Sequence, residues 1–297
     1  MSTAITTRSE GSPGAVPDRY RAEQAASIAT MMVHVDVVRD CEQRVQLALA
    51  LAGRFGATLI GVAGLTPRPT FAAGGVVVYP EPTQRDLEQA SARLDELGKK
   101  FCAQGQGLKQ IEWRTALEFP SELVAREARA ADLVIVGARR RAGNSDLADP
   151  GTILLRAGRP VLVIPDTVAP LQLRRVIVAC KDTRECRRAV RDALPLLWQA
   201  KEVLLVAIDE GGSEPEGKRM LADVAGYLVR HRVIVAEEAW RRARGPVAAE
   251  LLHVVADEKA DLIVAGGYGH SRLGEWIFGG VTHELLASSP VCCMLSN

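Results

Sequence analysis

The feature that most constrains the fold of this chain is an internal repeat. The segment Glu122–Gly137 has the pattern of an amphipathic helix that leads into an apolar strand, and Glu250–Gly266 repeats it with one extra residue. Each copy is followed by a glycine-bearing loop, a short helix and a Pro-Val strand, at Pro160–Pro165 and at Pro290–Leu295. Such self-similarity predicts two tandem domains with the same fold.

The upstream halves of the two copies also correspond. The apolar strands Met31–Asp36 and Arg175–Asp182 each end in an aspartate and precede a long helix and a second apolar strand, Thr58–Gly64 or Glu202–Asp209. Apolar strands that alternate with helices predict a buried parallel sheet with right-handed crossovers. The expected fold class is α/β, with two tandem doubly wound parallel five-stranded sheets flanked by helices.

Proline positions and composition set the expected domain limits. Pro165 and Pro170 bracket a short polar stretch, so the first domain is predicted at 31–166 and the second at 174–297. Residues 1–30 carry Ser, Thr, Gly, Pro and scattered Arg without an apolar run, which predicts a flexible tail and not a secretory signal. The connection Thr66–Pro82 is rich in Pro, Gly and Val, and the sequence leaves open whether it is a flap over the sheet or a loop.

Charge and composition exclude several classes of partner. The net charge of +1 gives no overall attraction to nucleic acid or to an anionic membrane, and no apolar run approaches the roughly 20 residues that span a bilayer. The six cysteines form no C-x-x-C pair, and most lie on predicted strands or helices. We therefore expect reduced core thiols, a cytoplasmic protein, no nucleic acid and no membrane.

A glycine-rich loop follows the fourth strand of the second copy. Its spacing is Gly-x-x-Gly, nine residues, then Gly-Gly-Val-Thr before a helix predicted at His283–Ser288; the residues are Gly266, Gly269, Gly279, Gly280, Val281 and Thr282. Glycine can adopt positive φ and bring backbone N–H groups close to an anion, and a helix N-terminus favours negative charge. The loop therefore suits a polyphosphate. A turn that only reverses the chain is the other interpretation, and the glycines alone do not separate the two.

This loop, the strand-end aspartates and the closing Pro-Val strand together resemble the universal stress protein family. The resemblance covers about residues 31–297 and extends to the tandem arrangement of its two-domain members. In its ATP-binding members the glycine pattern is followed by Ser or Thr. The resemblance implies that Gly266, Gly269 and Gly279 are phosphate-loop glycines, that Asp182 faces the nucleoside and that backbone groups of Ala207 meet the adenine.

The same resemblance marks departures from the family pattern. Gly280 stands where the hydroxyl residue is expected, while Val281 and Thr282 occupy the next loop positions, and Thr282 is a partial substitute. The first copy retains the family residues Asp36, Gly137, Gly151 and Thr152. However, Arg140 replaces the second loop glycine and adopts positive φ less easily. Asp146 and Asp149 would repel phosphates. We expect the first site to be degenerate and empty.

The resemblance implies a stress-response protein that binds ATP or another adenine nucleotide in its C-terminal domain as a regulatory ligand. The sequence does not indicate whether magnesium accompanies the nucleotide. No base, metal-holding acid pair or nucleophile converges on the loop, so we expect a binding protein, with slow ATP hydrolysis left open. A nucleotide-free interaction or scaffold protein with a structural glycine loop is the alternative. An adenylating enzyme ranks last, because it needs a serine-glycine loop where this chain has residues 181–184.

Assembly is also implied by the resemblance. In the family the last strands pair across a dimer interface, and here Pro160–Pro165 and Pro290–Leu295 can pair within one chain. Such an intramolecular pseudo-dimer would cover two exposed strand edges. A further homodimer of chains is left open.

Overall fold

Strands and helices alternate in both halves of the chain, as the repeat predicts. The computed structural model describes residues 28–66, 71–73, 76–78, 81–138, 147–167, 170–209, 211–269 and 280–297. The first half contains β1 Thr30–His34, α1 Glu42–Phe55, β2 Thr58–Gly64, β3 Phe71–Ala73, β4 Val76–Val78, α2 Gln84–Gln104, β5 Ile111–Ala116, α3 Pro120–Glu127, a 3-10 turn Ala128–Ala130, β6 Leu133–Gly137, α4 Pro150–Arg156 and β7 Val161–Ile164. The second half contains β8 Arg175–Ala179, α5 Arg184–Leu197, β9 Glu202–Asp209, α6 Glu214–Arg230, β10 Val235–Arg242, α7 Val247–Asp257, β11 Leu262–Gly266, α8 Gly280–Ser288 and β12 Cys292–Ser296.

Five strands of each half form a parallel sheet, and the two sheets join edge to edge. In the first half these are β1, β2, β5, β6 and β7, and in the second β8 to β12. Over the described residues the order is β5-β2-β1-β6-β7-β12-β11-β8-β9-β10. In this ten-stranded sheet the pairing is parallel within each half, and only β7 and β12 pair antiparallel, with Val163 opposite Cys293 and Val161 opposite Leu295. The predicted fold class is confirmed. Edge pairing within the chain covers the two strand edges that separate domains would expose.

The helices cover both faces of the combined sheet, which is the doubly wound arrangement. Helices α1, α2, α5 and α6 pack on one apolar layer, and α3, α4, α7 and α8 pack on the other. Side chains sort between the layers by strand alternation: Met31 and Val33 of β1 enter the first layer, while Met32 enters the second. In the described ranges, no helix combines the length and apolar character needed to cross a membrane.

Two aspartates show that the structural repeat is closer than the sequence pattern indicates. The Asp132 carboxylate accepts hydrogen bonds from the backbone N–H groups of Ala29 and Thr30, at 2.9 and 3.0 Å. The Asp261 carboxylate does the same for Gln172 and Arg174, at 3.2 and 3.0 Å. Asp132 precedes β6 and fixes the start of the neighbouring strand β1. Asp261 precedes β11 and does the same for β8.

The structure settles one open question about the connection after β2 and corrects the predicted start of α8. The connection after β2 forms an antiparallel hairpin, β3 with β4, in which Ala72 pairs with Val77. The helix predicted at His283–Ser288 begins three residues earlier, at Gly280, so its predicted start was wrong. The physical reason is tertiary: the Thr282 hydroxyl accepts a hydrogen bond from the Tyr268 backbone N–H and draws this segment into the first turn of α8.

Candidate functional site

The strand order reverses between β1 and β6 in the first half and between β8 and β11 in the second. At these positions the chain leaves neighbouring strands toward opposite faces of the sheet, which opens a crevice beyond their carboxyl ends. Gly137 ends β6 and Gly266 ends β11. The two glycines therefore mark equivalent crevices in the two halves.

The turn after β11 packs closely against the start of α5. A Cβ on Gly266 would lie 2.5 Å from the backbone nitrogen of Cys186 and 2.7 Å from the carbonyl carbon of Glu185. A Cβ on Gly269 would lie 2.9 Å from Oε2 of Glu185. The left-handed residue of the turn is Tyr268, with φ +58°, and not either glycine. The expectation that these glycines supply positive φ was wrong; their missing side chains permit close approach.

The same turn is bound to the start of α8. The backbone N–H of Tyr268 donates to Oγ1 of Thr282 at 3.1 Å, and Thr282 is 6% exposed. Val281 is half-buried, whereas Gly280 is exposed, and a Cβ there would meet no atom of the described ranges within 4 Å. Gly279 lies outside the described residues. The backbone N–H groups of Gly267 and Tyr268 already donate to Ser296 and Thr282, so an anion beside this turn would meet the N-terminus of α8.

A contact from the first half reaches this turn. A Cβ on Gly267 would lie 2.5 Å from Cδ2 of Leu154, which belongs to α4 of the first copy. Helices α4 and α8 contact each other in the same layer. The crevices of the two copies are therefore adjacent.

Asp182 and Ala207 lie on the neighbouring elements of the second half. Asp182 lies in the β8–α5 connection, where its side chain is 79% exposed and pairs with Nη1 of Arg187 at 2.5 Å. Ala207 is buried and pairs with Trp240 of β10. In the described ladder β8 pairs with β9 only as far as Val206, so Ala207 lies just beyond the end of that pairing. The structure thus places Ala207 at the crevice and directs Asp182 toward Arg187.

Glu185 is a residue of this site that the sequence analysis missed. Its side chain is 3% exposed and forms an ion pair with Arg184. Burial would raise the pKa of Glu185, but hydrogen bonds from Arg184 and from its own backbone N–H hold the pKa below its usual value. The carboxylate beside Gly269 is therefore ionised at neutral pH. A phosphate on this turn would meet some repulsion from it.

The equivalent crevice of the first half contains a cavity of about 990 Å³. Residues of both copies line it, among them His34, Asp36, Arg44, Gly137, Asp149 and His283. Asp149 caps α4 by accepting a hydrogen bond from the Thr152 backbone N–H at 2.8 Å. Gly151 is buried in the same short helix. Arg140 and Asp146, on which the expected degeneracy of this site rested, lie outside the described residues.

An internal ion pair forms the base of this cavity. The Arg44 guanidinium is hydrogen-bonded to Asp36, and Arg44 is 8% exposed. A Cβ on Gly137 would lie only 2.2 Å from Nη1 of Arg44. The guanidinium therefore occupies the space beside the first loop glycine, where the family resemblance would place phosphate. Arg44 was missed because one arginine at the start of an amphipathic helix carries no distinctive signal.

His34 lies beside this pair, with Nδ1 3.8 Å from Oδ1 of Asp36. Burial lowers the pKa of His34 to about 4, and the Asp36 charge opposes that shift. Burial would raise the pKa of Asp36, but His34 and Arg44 hold it below its usual value. At neutral pH the group consists of a neutral imidazole, a carboxylate and a guanidinium.

Strand register shows that the two aspartates after the first strands are not strict counterparts. Met31 pairs with Leu133 and Val176 pairs with Leu262, and each of these leucines follows an Ala-Asp pair. Counting from these positions, Asp36 corresponds to Lys181. The strands end at His34 and Ala179, so the aspartates lie in the connections beyond them. Over the described residues, no group of three or more His, Cys, Asp or Glu is arranged to hold a metal ion.

The fold and the crevices define a tandem doubly wound protein of the kind that holds ligands beyond the carboxyl ends of its strands. The universal stress protein family profile matches twice, over residues 28–165 and 172–296. The chain therefore belongs to the universal stress protein family.

Solved structures share the tandem fold. A universal stress protein from Archaeoglobus fulgidus is 16% identical, with a TM-score of 0.64, over 90% of this chain and 98% of that one. A functionally unknown protein from Pseudomonas aeruginosa is 14% identical, with a TM-score of 0.57, over 92% and 93% of the two chains. The search of curated proteins found no match. At these identities the likeness supports the fold alone.

Proposed function

We propose that the second copy binds an adenine nucleotide, with ATP as the first candidate, and that the nucleotide acts as a regulatory ligand. The observation that carries this proposal is the hydrogen bond from the Tyr268 backbone to Thr282. It holds the turn after β11 against the N-terminus of α8 at the point where the strand order reverses. The N-terminus of α8, whose N–H groups and dipole favour negative charge, then borders the crevice where a polyphosphate would lie.

Each part of the nucleotide has a candidate partner. The phosphates would accept hydrogen bonds from the turn and from the start of α8, where Thr282 can donate its hydroxyl proton while its oxygen accepts from Tyr268. The adenine would lie beside Ala207, beyond the end of the β8–β9 ladder. Asp182 would reach ribose hydroxyls if it released Arg187. Gly279 keeps its proposed role as a loop glycine.

A regulatory role fits the groups beside the turn better than rapid turnover does. Glu185 is the buried carboxylate there, and its pKa lies below the usual value because Arg184 and a backbone N–H stabilise its charge. A carboxylate with a low pKa is a poor general base at neutral pH. Bound nucleotide would instead stabilise the turn between α5 and α8, and so change the surface that these helices present.

A specific observation favours the alternative of a nucleotide-free interaction protein. The absence of a Cβ at Gly266 and at Gly269 is accounted for by packing against Cys186 and Glu185 of α5. On that interpretation the glycines serve the fold alone, and the Glu185 charge keeps anions away. The two interpretations make different predictions for a substitution at a loop residue whose side chain would not pack against the fold. Only the nucleotide-binding interpretation predicts that such a substitution changes the affinity for ATP.

Gly280 is such a residue, because its Cβ position has no neighbour within 4 Å among the residues that the structure describes. Gly280→Ser restores the hydroxyl of the family motif, and Gly280→Ala is the matched control with a Cβ and no hydroxyl. We expect the serine variant to bind ATP about tenfold more tightly than the alanine variant, since a hydrogen bond to a charged group contributes about 1.5–3 kcal/mol. Equilibrium dialysis of the full chain against ATP, with adenosine alongside, measures this difference.

Two results would contradict the proposal. No detectable ATP binding at millimolar concentration by the unaltered chain or by the serine variant would favour the nucleotide-free alternative. Equal affinities of the serine and alanine variants, with clear binding by both, would place the nucleotide away from the start of α8.

A further inference from the structure

Two thiols meet where β8 passes into α5. Sγ of Cys186 lies 3.4 Å from the backbone nitrogen of Lys181, which donates to it, and 3.6 Å from the carbonyl oxygen of Ala179. It therefore lies over the backbone on both sides of Cys180. The Cys180 thiol donates to the carbonyl oxygen of Val178 at 3.5 Å, and the two thiols are close enough for each to shift the pKa of the other.

The environments of the two sulfurs differ. Cys186 lies in the first turn of α5, where the helix dipole and N–H groups favour a thiolate. The neighbouring Cys180 thiol lowers the pKa of Cys186 most, burial opposes this shift, and the Lys181 N–H and the Arg187 charge lower the pKa further, to about 7. The neighbouring Cys186 sulfur, together with burial, raises the pKa of Cys180. One sulfur is thus suited to attack and the other remains a thiol.

We propose that Cys180 and Cys186 form a peroxide-sensitive dithiol site, at which a hydroperoxide forms an intramolecular disulfide. The Cys186 thiolate attacks the O–O bond and becomes a sulfenic acid, while the leaving oxygen takes a proton and departs as water or alcohol. The Cys180 sulfur then attacks the Cys186 sulfur and loses its proton, and the displaced hydroxide leaves as water. The two thiols lose two electrons and the peroxide gains them.

The connection between the cysteines allows this reaction. Cys180 and Cys186 are 6% and 4% exposed, but Lys181, Asp182 and Arg184 between them are exposed. A surface turn opens locally at low cost, which admits a small oxidant and lets the sulfurs approach the disulfide length of about 2.05 Å. The bond would tie the end of β8 to the first turn of α5.

Oxidation at this site would be transmitted to the neighbouring glycine turn. The backbone nitrogen of Cys186 lies 2.5 Å from the Cβ position of Gly266, so any shift of Cys186 changes the space for β11. The disulfide would also replace the Sγ contacts with Ala179 and Lys181. This chemistry does not depend on whether the turn binds a nucleotide.

The chain contains its own control pair. Cys292 and Cys293 are adjacent in β12, but their side chains enter opposite layers of the core. Burial raises the pKa of both to about 12. These two thiols could undergo the same oxidation, but their sulfurs lie in different layers of the core and neither is a thiolate at neutral pH. They should therefore stay reduced.

Peptide mapping of the full chain tests the site. Trypsin cleaves after Lys181 and Arg184, so a disulfide would link the peptides 176–181 and 185–187. The protein is treated with a few equivalents of hydrogen peroxide, denatured in N-ethylmaleimide, digested and analysed by mass spectrometry. We expect the linked peptides to appear, with Cys292 and Cys293 alkylated. Cys180→Ser should leave a sulfenic acid on Cys186 that dimedone labels, and Cys186→Ser should leave Cys180 unoxidised.

Three results would overturn the proposal: both cysteines alkylated after peroxide, Cys292 and Cys293 oxidised as fast as the proposed pair, or no dimedone label in folded Cys180→Ser. Should a serine variant fail to fold, the comparison of the two pairs within the unaltered chain still decides the question.

Discussion

The two copies have the same strand order but hold their crevices in different ways. In the first copy the Arg44 side chain, paired with Asp36, lies against Gly137. In the second copy the backbone of α5 lies against Gly266, and Thr282 fixes the turn. A glycine at the same position of the fold therefore permits the approach of a side chain in one copy and of a helix backbone in the other. Matching motif residues do not imply matching sites.

Charge distinguishes the copies as well. The first crevice contains a buried carboxylate, a buried guanidinium and a neutral histidine. Counting from the strand register, the position of His34 is taken by Ala179 in the second copy, and that of Asp36 by Lys181. The acid of the second crevice, Glu185, comes from the first turn of α5 instead. The first crevice is therefore stabilised by its own charges, while the second is bordered by the N-terminus of α8.

The largest expected effect concerns the ion pair of the first copy. Arg44→Met leaves Asp36 buried without its partner, which should lower the free energy of unfolding by about 3 kcal/mol. The matched control is Arg187→Met, which breaks the exposed pair with Asp182 and should cost under about 1 kcal/mol. Urea denaturation measures both.

The double variant Asp36→Asn/Arg44→Met sharpens this prediction. Removing both charges leaves no uncompensated ion, so most of the lost stability should return. Equal costs for Arg44→Met and Arg187→Met would show that the buried pair does not distinguish the two copies.

The next effect is an acid sensitivity of the first copy. His34 has a pKa near 4 in the folded protein and about 6.5 when unfolded, so the unfolded state binds more protons between these values. Its contribution is therefore present above pH 6.5 and is lost as the pH falls toward 4. Between pH 7 and 4 the unaltered chain should lose about 3 kcal/mol more than His34→Gln. Urea denaturation at pH 7 and pH 4 measures the loss of stability for each protein. Equal losses for the unaltered chain and for His34→Gln would contradict the prediction.

The smallest effect compares the equivalent glycines. Gly266→Ala forces the new Cβ against the backbone of α5, which cannot move without shifting the helix, and should cost about 2 kcal/mol. Gly137→Ala meets only Nη1 at the end of the Arg44 side chain, which can shift while Nη2 keeps its hydrogen bond to Asp36, and should cost less than about 1 kcal/mol. Thermal unfolding of the two variants ranks them, and the reverse order would refute the distinction between side-chain and backbone neighbours.

Much of the fold could be predicted because apolar strands and amphipathic helices are local patterns. The apolar runs that alternate with helical segments predicted β1, β2, β8 and β9 close to their observed ranges. The start of α8 could not be predicted in this way, because it depends on a hydrogen bond between Tyr268 and Thr282, 14 positions apart. The hairpin β3–β4 was undecided, since short Gly-rich and Val-rich segments suit a loop or a hairpin equally.

The candidate site was predictable in part for the same reason. Gly266, Gly269 and Thr282 were identified from their spacing, and the structure brings them together around one turn. Glu185 and Arg44 were not identified, because their positions depend on how a helix approaches a neighbouring strand.

The sequence by itself determined the repeat, the α/β class, the parallel order within each half and the glycine spacing. These follow from the period of apolar residues and from the conformational freedom of glycine, which act within a few residues along the chain. The pairing of β7 with β12, which the family resemblance implied, is confirmed. Only the tertiary structure decided that Arg44 fills one crevice while α5 supports the other. The physical reason is that strand register and side-chain direction bring together residues far apart in the chain, and their contacts exist only after packing.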